Sequence, residues 1–147
     1  MNQTRRSNCD YWWYGTRKSS ILKLIPRLYD PTAGEVLIDG IDAREYRLQD
    51  LRALIGYVPQ KNVLFSGDIG SNLNFGKEHG TAEEWNRAAE IACAAEFIQK
   101  KPQQYHAHVA QGGTNFSGGQ RQRMEIARAV MKQPEIYVFD DSFLLWI

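Results

Sequence analysis

The sequence has few cysteines, almost no net charge and no long hydrophobic run, and each of these absences excludes a class of protein. Its two cysteines, Cys9 and Cys93, have neither the number nor the spacing of a disulfide framework or a zinc site. The formal net charge of +1 gives no overall field toward nucleic acid or an anionic membrane. No apolar run approaches the length of a membrane span, and no hydrophobic segment follows Arg5 and Arg6 to form a signal peptide. The sequence therefore predicts a soluble cytosolic domain with free thiols.

Segments typical of helices and strands alternate along the chain. The expected helices cover about residues 18–25, 48–53, 82–99 and 118–132, and the expected strands cover residues 35–39, 55–58 and 135–140. Thr81 and Glu84 can form a capping box for the helix over 82–99. Pro26 ends the first helix, and Pro134 follows the last one. Strands that alternate with helices predict an α/β sheet.

Two blocks near the C-terminus suit the binding of an anion and of a cation. Residues 116–123 read F-S-G-G-Q-R-Q-R, a turn of small residues that opens a helix and turns free backbone N–H groups toward an anion. Residues 136–141 read I-Y-V-F-D-D, an apolar run that suits a buried strand with hard-cation ligands at its tip. Taken singly, a Gly-Gly turn is usually a helix cap and paired aspartates are a solvated strand end. Their occurrence together favours the functional interpretation.

Together the two blocks resemble the signature motif and the Walker B strand of ATP-binding cassette (ABC) ATPases. The resemblance implies an α/β fold with a P-loop NTPase-type ABC ATPase core and a helical signature subdomain, incomplete at both ends. It also implies ATP and Mg²⁺ as cofactors. The residues that would contact nucleotide in this block are Ser117, Gly118, Gly119 and Gln120. Asp140 would hold Mg²⁺, and Asp141 occupies the position of the family's catalytic glutamate.

Residues 15–22, G-T-R-K-S-S-I-L, resemble the end of a Walker A loop and its helix. The resemblance implies nucleotide contacts from Gly15, Thr16, Lys18, Ser19 and Ser20, with the Ser19 hydroxyl also on Mg²⁺. The two glycines of the motif are absent, because Trp12 and Arg17 stand in their places. Glycine allows the backbone to approach phosphate closely, often at positive φ, so both side chains are expected to weaken nucleotide binding.

Residues 57–60, Y-V-P-Q, resemble the Q-loop, in which Gln60 would contact Mg²⁺ and the attacking water and respond to the membrane domain. A Pro-Gln pair after a strand is otherwise a common loop start. The aspartate at position 141 is one methylene shorter than glutamate, which would impair its geometry as a general base. Such an aspartate resembles the weak-site subunit of heterodimeric exporters.

Three further segments resemble the exporter branch of the family, namely residues 30–40, 64–69 and 109–115. This resemblance implies two partners: a second ABC ATPase subunit in a head-to-tail dimer, either identical or different, and the transmembrane domain of an exporter. It implies a cytoplasmic location at the inner face of the cell membrane. Nucleic acid is not expected as a partner, because Arg121, Arg123 and Arg128 lie on a helix whose start is committed to phosphate.

The expected domain boundaries leave an aberrant segment at each end of the chain. Residues 15–143 would form a partial nucleotide-binding domain, with the helical subdomain at about 70–132, while residues 1–14 and 144–147 fit no part of the family pattern. Tryptophan has one codon, so residues 12–14 are encoded by TGG TGG TAY, which one base forward reads Gly-Gly-Thr or Gly-Gly-Ile. The same shift can recode residues 5–14 as G-E-A-I-A-I-I-G-G-T, and one extra T can recode the last residues as F-S-A-L-D. We therefore hypothesise frameshifts at both ends, although synonymous codons permit many such rescues.

Two functions remain open from the sequence. The chain can be the ATPase domain of a multidrug-type exporter, which couples ATP hydrolysis to solute export. It can instead be an inactive remnant that binds nucleotide poorly and does not support transport.

Overall fold

The computed structural model describes residues 18–140, and the two end segments at 1–14 and 144–147 lie outside this part. The helices are Lys18–Leu22 (α1), Leu48–Ala53 (α2), Ile69–Asn74 (α3), Ala82–Ile91 (α4), Ala95–Gln99 (α5) and Gly118–Met131 (α6). The strands are Leu37–Ile38 (β1), Ile41–Asp42 (β2), Ile55–Val58 (β3), Gly67–Asp68 (β4), His108–Val109 (β5) and Ile136–Phe139 (β6). Short 3₁₀ turns occupy Ala43–Glu45, Gln104–His106 and Gln111–Gly113.

The parallel pair of β3 and β6 organises the molecule. Ile55 lies opposite Ile136 and Val58 opposite Phe139, so the carboxyl ends of both strands meet at one edge. Side chains alternate between the faces of this pair. Ile55 and Val138 belong to a core cluster that also includes residues of α1 and α2, whereas Val58 belongs to a larger cluster built by the later helices. The expected α/β arrangement is confirmed by this layering.

The larger core cluster surrounds α6. Its buried face packs on α3, α4 and β3, and it includes Met124, Ala127 and Met131. The chain after α3 approaches α6 closely at Gly76, where a Cβ atom would lie 2.1 Å from the Arg128 carbonyl oxygen. The helical part of the chain is therefore a tightly packed unit joined to the β3–β6 pair.

Local chemistry explains where the elements differ from the sequence-based expectation. The predicted helix over 82–99 is interrupted, because Cys93 adopts φ 53° and Ala94 N–H donates to the Ala89 carbonyl at 2.7 Å. With the Cys93 N–H bond to Glu90, this is a Schellman ending at a residue that is not glycine. The predicted strand over 35–39 is reduced to β1, which pairs with β2 as a short antiparallel ladder. The first helix ends at Leu22 instead of Ile25.

Candidate functional site

The first candidate site lies where α1 meets the end of β6. Ser19, on the first turn of α1, donates its hydroxyl hydrogen to Asp140 Oδ1 at 2.7 Å. Asp140 directly follows β6, and its N–H donates to the Val58 carbonyl at 2.9 Å, which extends the strand pairing by one residue. The carboxylate is only 2% exposed. A hydroxyl and a buried carboxylate, which are 121 residues apart in sequence, thus share one hydrogen bond.

Tyr57 reaches the other oxygen of the same carboxylate. Its hydroxyl donates to Asp140 Oδ2 at 3.1 Å. Burial, together with the negative charge and hydrogen bond of Asp140, raises the pKa of Tyr57 to about 12. The hydroxyl therefore stays protonated and remains a donor at neutral pH. Sequence analysis did not identify this residue as part of the site. The available signal was its position on the predicted strand over 55–58. That position points to Asp140 only once β3 is known to pair with β6.

Gln60 emerges from the same edge of the strand pair. It follows β3 by two residues, is exposed, and lies on the chain leading away from the carboxyl end of that strand. Because β3 and β6 are parallel and in register, the chain at Gln60 and the chain at Asp140 leave the sheet in the same direction. Strand pairing thus brings the predicted Q-loop to the edge that carries Asp140.

The donor set at this edge fits a hard divalent cation. Mg²⁺ prefers oxygen ligands and keeps several of its water molecules, so a hydroxyl and one or two carboxylate oxygens are a typical protein contribution. Ser19 and Asp140 supply such oxygens, and they already lie within hydrogen-bond distance of each other. The buried position of the carboxylate strengthens its interaction with a cation.

The second candidate site is the turn that opens α6. The Ser117 hydroxyl accepts from Gln120 N–H at 3.2 Å, and the Gln120 side chain accepts from Ser117 N–H at 3.0 Å, a reciprocal capping box. The amides of Gly118 and Gly119 donate to no residue within 18–140. The turn therefore presents two backbone N–H groups at the positive end of a 14-residue helix, which suits an anion.

Several predicted site residues lie outside the described part of the chain or away from the Ser19–Asp140 site. Gly15, Thr16, Asp141 and the side chain of Lys18 lie outside the described residues. Ser20 lies on α1 with an exposed side chain. The turn at residues 117–120, here called the signature turn, belongs to a different element from Ser19 and Asp140, so one chain carries two separate candidate surfaces.

A buried ion pair connects α6 with the segment after Gln60. Arg128 donates to both carboxylate oxygens of Glu125 at 3.2 Å, and Glu125 also accepts from Val63 N–H at 3.1 Å. Burial raises the pKa of Glu125, although the positive charge of Arg128 opposes this shift. The Arg128 guanidinium also donates to the Asn72 side chain at 2.8 Å, which links α6 to α3. The sequence analysis did not identify this network.

Comparison with known proteins gives one consistent family. The sequence profile described as ABC transporter matches residues 15–143. An uncharacterized ABC transporter ATP-binding protein of Mycobacterium tuberculosis is 52% identical over 132 residues, covering 88% of this chain and 22% of the relative. ABC transporter B family member 21 of Arabidopsis thaliana is 46% identical over 128 residues, covering 87% of this chain and 10% of the relative.

Solved structures give the same result. A bacterial Atm1-family ABC exporter with ATP bound matches with a TM-score of 0.84 and 41% sequence identity, covering 88% of this chain and 23% of that one. The chain thus spans less than a quarter of the length of these relatives. Within residues 18–140, no helix is both long and apolar enough to cross a membrane.

Proposed function

This chain belongs to the ABC transporter ATPase family and is homologous to its exporters, and we propose that it forms part of a nucleotide-binding domain that couples hydrolysis of Mg²⁺–ATP to solute export. The observation that carries the proposal is the bond between the Ser19 hydroxyl and the buried Asp140 carboxylate. Two oxygen ligands from distant parts of the sequence meet there, at the edge that also leads to Gln60. Mg²⁺, when bound, would offset the negative charge of the phosphates.

Each residue in the proposed site has a distinct role. Ser19 and Asp140 would hold the metal, with Gln60 as a further oxygen ligand that also orients water. Lys18, Gly15, Thr16 and Ser20 would contact phosphate. Asp141 would act as the general base, and its short side chain supports a slow reaction. These assignments rest on the family motif, on the Ser19–Asp140 geometry and on the parallel edge that Gln60 and Asp140 share.

The signature turn would serve a second ATPase subunit. Gly118 and Gly119 amides and the Ser117 hydroxyl are proposed to contact a phosphate held by that subunit in a head-to-tail dimer, with Gln120 maintaining the turn. Asp141 favours a heterodimer, in which this chain would be the weak-site subunit. The other proposed partner is the transmembrane domain of an exporter, so the assembled protein would lie at the cytoplasmic face of the cell membrane.

The alternative is a remnant without ATPase or transport activity. It is favoured by Trp12 and Arg17 in place of the loop glycines and by Asp141 in place of glutamate. Both alternatives place the chain in the same family, and they differ in nucleotide affinity and turnover. A purified chain that binds ATP but does not hydrolyse it would support a partly retained site.

The direct test is a titration of the 147-residue chain with a fluorescent ATP analogue, with Mg²⁺ and with EDTA. We expect Mg²⁺ to tighten binding, and we expect Asp140→Asn and Ser19→Ala to remove this gain while leaving the metal-independent affinity. Asp50→Asn is the matched control, because Asp50 lies in an exposed ion pair with Arg47 on α2. An equal Mg²⁺ effect in the chain and in Asp140→Asn would contradict the proposed metal site.

A further inference from the structure

We propose that Tyr57 is a positioning residue that holds the Asp140 carboxylate in the orientation needed for the metal. This inference rests on the proposed function, because it concerns the same carboxylate. The two oxygens of Asp140 have different donors: Ser19 to Oδ1 at 2.7 Å and Tyr57 to Oδ2 at 3.1 Å. With a donor on each oxygen, the plane of the carboxylate is defined from both sides.

The strand pairing explains why a tyrosine at this position reaches the metal site. Tyr57 lies opposite Val138 in the parallel register, and Asp140 follows two residues later. The Tyr57 side chain packs against the buried cluster that includes Leu51, Ile55 and Val138. A ring held by the core has little rotational freedom, so its hydroxyl is a fixed donor and not a mobile surface group.

A second donor matters because a carboxylate can rotate about its terminal bond, where rotamer preferences are broad. Ser19 donates to one oxygen, and its hydroxyl is itself a proposed metal ligand. If Ser19 turned toward a cation, Asp140 would then keep Tyr57 as the donor that maintains its orientation. Removal of the Tyr57 hydroxyl should therefore weaken metal binding without removing a ligand.

The chain offers two matched controls for this hydroxyl. Tyr46 donates to the Ile38 carbonyl at 3.0 Å, and Tyr105 donates to Asn86 Oδ1 at 2.9 Å. Like Tyr57, both side chains are only partly exposed and their hydroxyls are hydrogen-bonded. Neither bond involves Ser19, Gln60 or Asp140. A tyrosine-to-phenylalanine change at either control position removes one hydroxyl bond of similar length from the fold alone.

The experiment uses the whole 147-residue chain and the Mn²⁺–ATP complex as the probe, with binding followed by the relaxation rate of water protons. We expect Tyr57→Phe to raise the apparent dissociation constant about five- to tenfold, the size of one typical intramolecular hydrogen bond. Tyr46→Phe and Tyr105→Phe should stay within about twofold of the unchanged chain. Asp140→Asn should weaken binding of the complex by more than Tyr57→Phe does.

The possible outcomes separate this proposal from the proposed function. If Asp140→Asn weakens binding of the complex and Tyr57→Phe leaves the affinity unchanged, the positioning role is wrong and the metal site stands. If Asp140→Asn has no effect, or the unchanged chain gives no signal, both proposals are wrong. If the control tyrosine changes weaken binding as much as Tyr57→Phe, the effect belongs to the fold and the positioning role is again wrong.

A metal-free measurement tests the hydrogen bond itself. In EDTA, the unfolding free energies of Tyr57→Phe, Asp140→Asn and the double variant form a double-mutant cycle. We expect the double variant to be destabilised by less than the sum of the single effects, because both single changes remove the charge-assisted bond between the hydroxyl and the carboxylate. Additive effects would show that Tyr57 and Asp140 do not interact in solution, and the proposal would fail.

Discussion

Trp12 and Arg17 are the residues at which this chain departs most from a working phosphate loop. In the family motif both positions are glycine, because amides that contact phosphate need close approach and often positive φ. An indole or a guanidinium side chain at these positions is expected to obstruct that approach. The downstream ligands do not depend on this loop alone, since Ser19 is already hydrogen-bonded to Asp140. The two bulky residues should therefore weaken phosphate contacts more than they disturb the proposed metal ligands, Ser19 and Asp140.

Replacing Trp12 and Arg17 by glycine should tighten ATP binding on the order of 100-fold, because several phosphate contacts become possible. The measurement is a calorimetric titration of the chain and of the Trp12→Gly/Arg17→Gly variant. Arg47→Gly is a suitable control, because Arg47 is an exposed residue at the N-cap of α2, where glycine is tolerated. Submicromolar binding by the unchanged chain would contradict this prediction.

Helix starts and buried strands could be predicted from the sequence because their determinants are local. The capping box at Thr81 was predicted from Thr81 and Glu84, three residues apart, and Ile55–Val58 is bounded by its own apolar run. The break at Cys93 was not predicted, since its Schellman ending uses a residue other than glycine. Helix α3 was not predicted, because four of its six residues, Gly70, Ser71, Asn72 and Asn74, have low helix propensity. The role of Tyr57 depends on strand register, which a single sequence does not reveal.

At the scale of elements, α6 connects the signature turn to the segment after Gln60 through Glu125 and Arg128. Glu125 is 6% exposed and accepts from both Arg128 and the Val63 amide. Burying the charges of Glu125 and Arg128 has a desolvation cost. Removing one of the two residues leaves the other charge buried and unpaired, so it is far more destabilising than replacing both. The pair therefore fixes the segment after Gln60 on α6.

Because burial raises the pKa of Glu125 above its usual 4.5, its ionisation opposes folding. The associated stability is fully present below about pH 4.5 and is lost as pH rises through the folded-state pKa. We therefore expect the unfolding free energy of the unchanged chain, relative to that of Glu125→Gln, to fall as the pH rises from about 4.5 toward neutral. Urea denaturation of both proteins across this pH range measures the difference in unfolding free energy.

The control for this pH dependence is Glu96→Gln on α5. The hydrogen bond from Lys100 lowers the pKa of Glu96, so its contribution is present above the unfolded-state pKa and is lost as pH falls. The difference between the unchanged chain and Glu96→Gln should then be flat or rise with pH. Parallel slopes for the two variants would show that Glu125 is not buried in solution.

For the whole molecule, the two end segments have a shared explanation that the gene can test. If frameshifts produced them, the codons for residues 5–14 read one base forward should encode a hydrophobic strand and a glycine-containing loop. The measurement is the nucleotide sequence across both ends. Stop codons in the shifted frame, or Asp10 and Tyr11 codons that give Thr-Thr there, would exclude this origin.

The signature turn should be the part of the whole molecule that can still act on another subunit. Its capping box and its free glycine amides are local features of α6, so they do not depend on Trp12 or Arg17. We expect the exposed surface of β6 to limit the effect, because Tyr137 is 43% exposed and exposed apolar strand surface favours aggregation. We therefore expect only a small rise in ATPase activity when the chain is mixed with an ATPase subunit that has an intact Walker A loop.

Gly119→Asp should abolish that rise, because the new carboxylate would face the phosphate that the amide otherwise contacts. An aspartate in the first turn of a helix also interacts favourably with the helix dipole, so loss of stimulation would not reflect loss of α6. Gln49→Asp adds the same charge at the second residue of α2, where the side chain is exposed, and should leave the rise unchanged. Stimulation that persists in Gly119→Asp would show that the turn does not contact the partner's nucleotide. A large rise with the unchanged chain would instead show that the exposed β6 edge does not limit assembly.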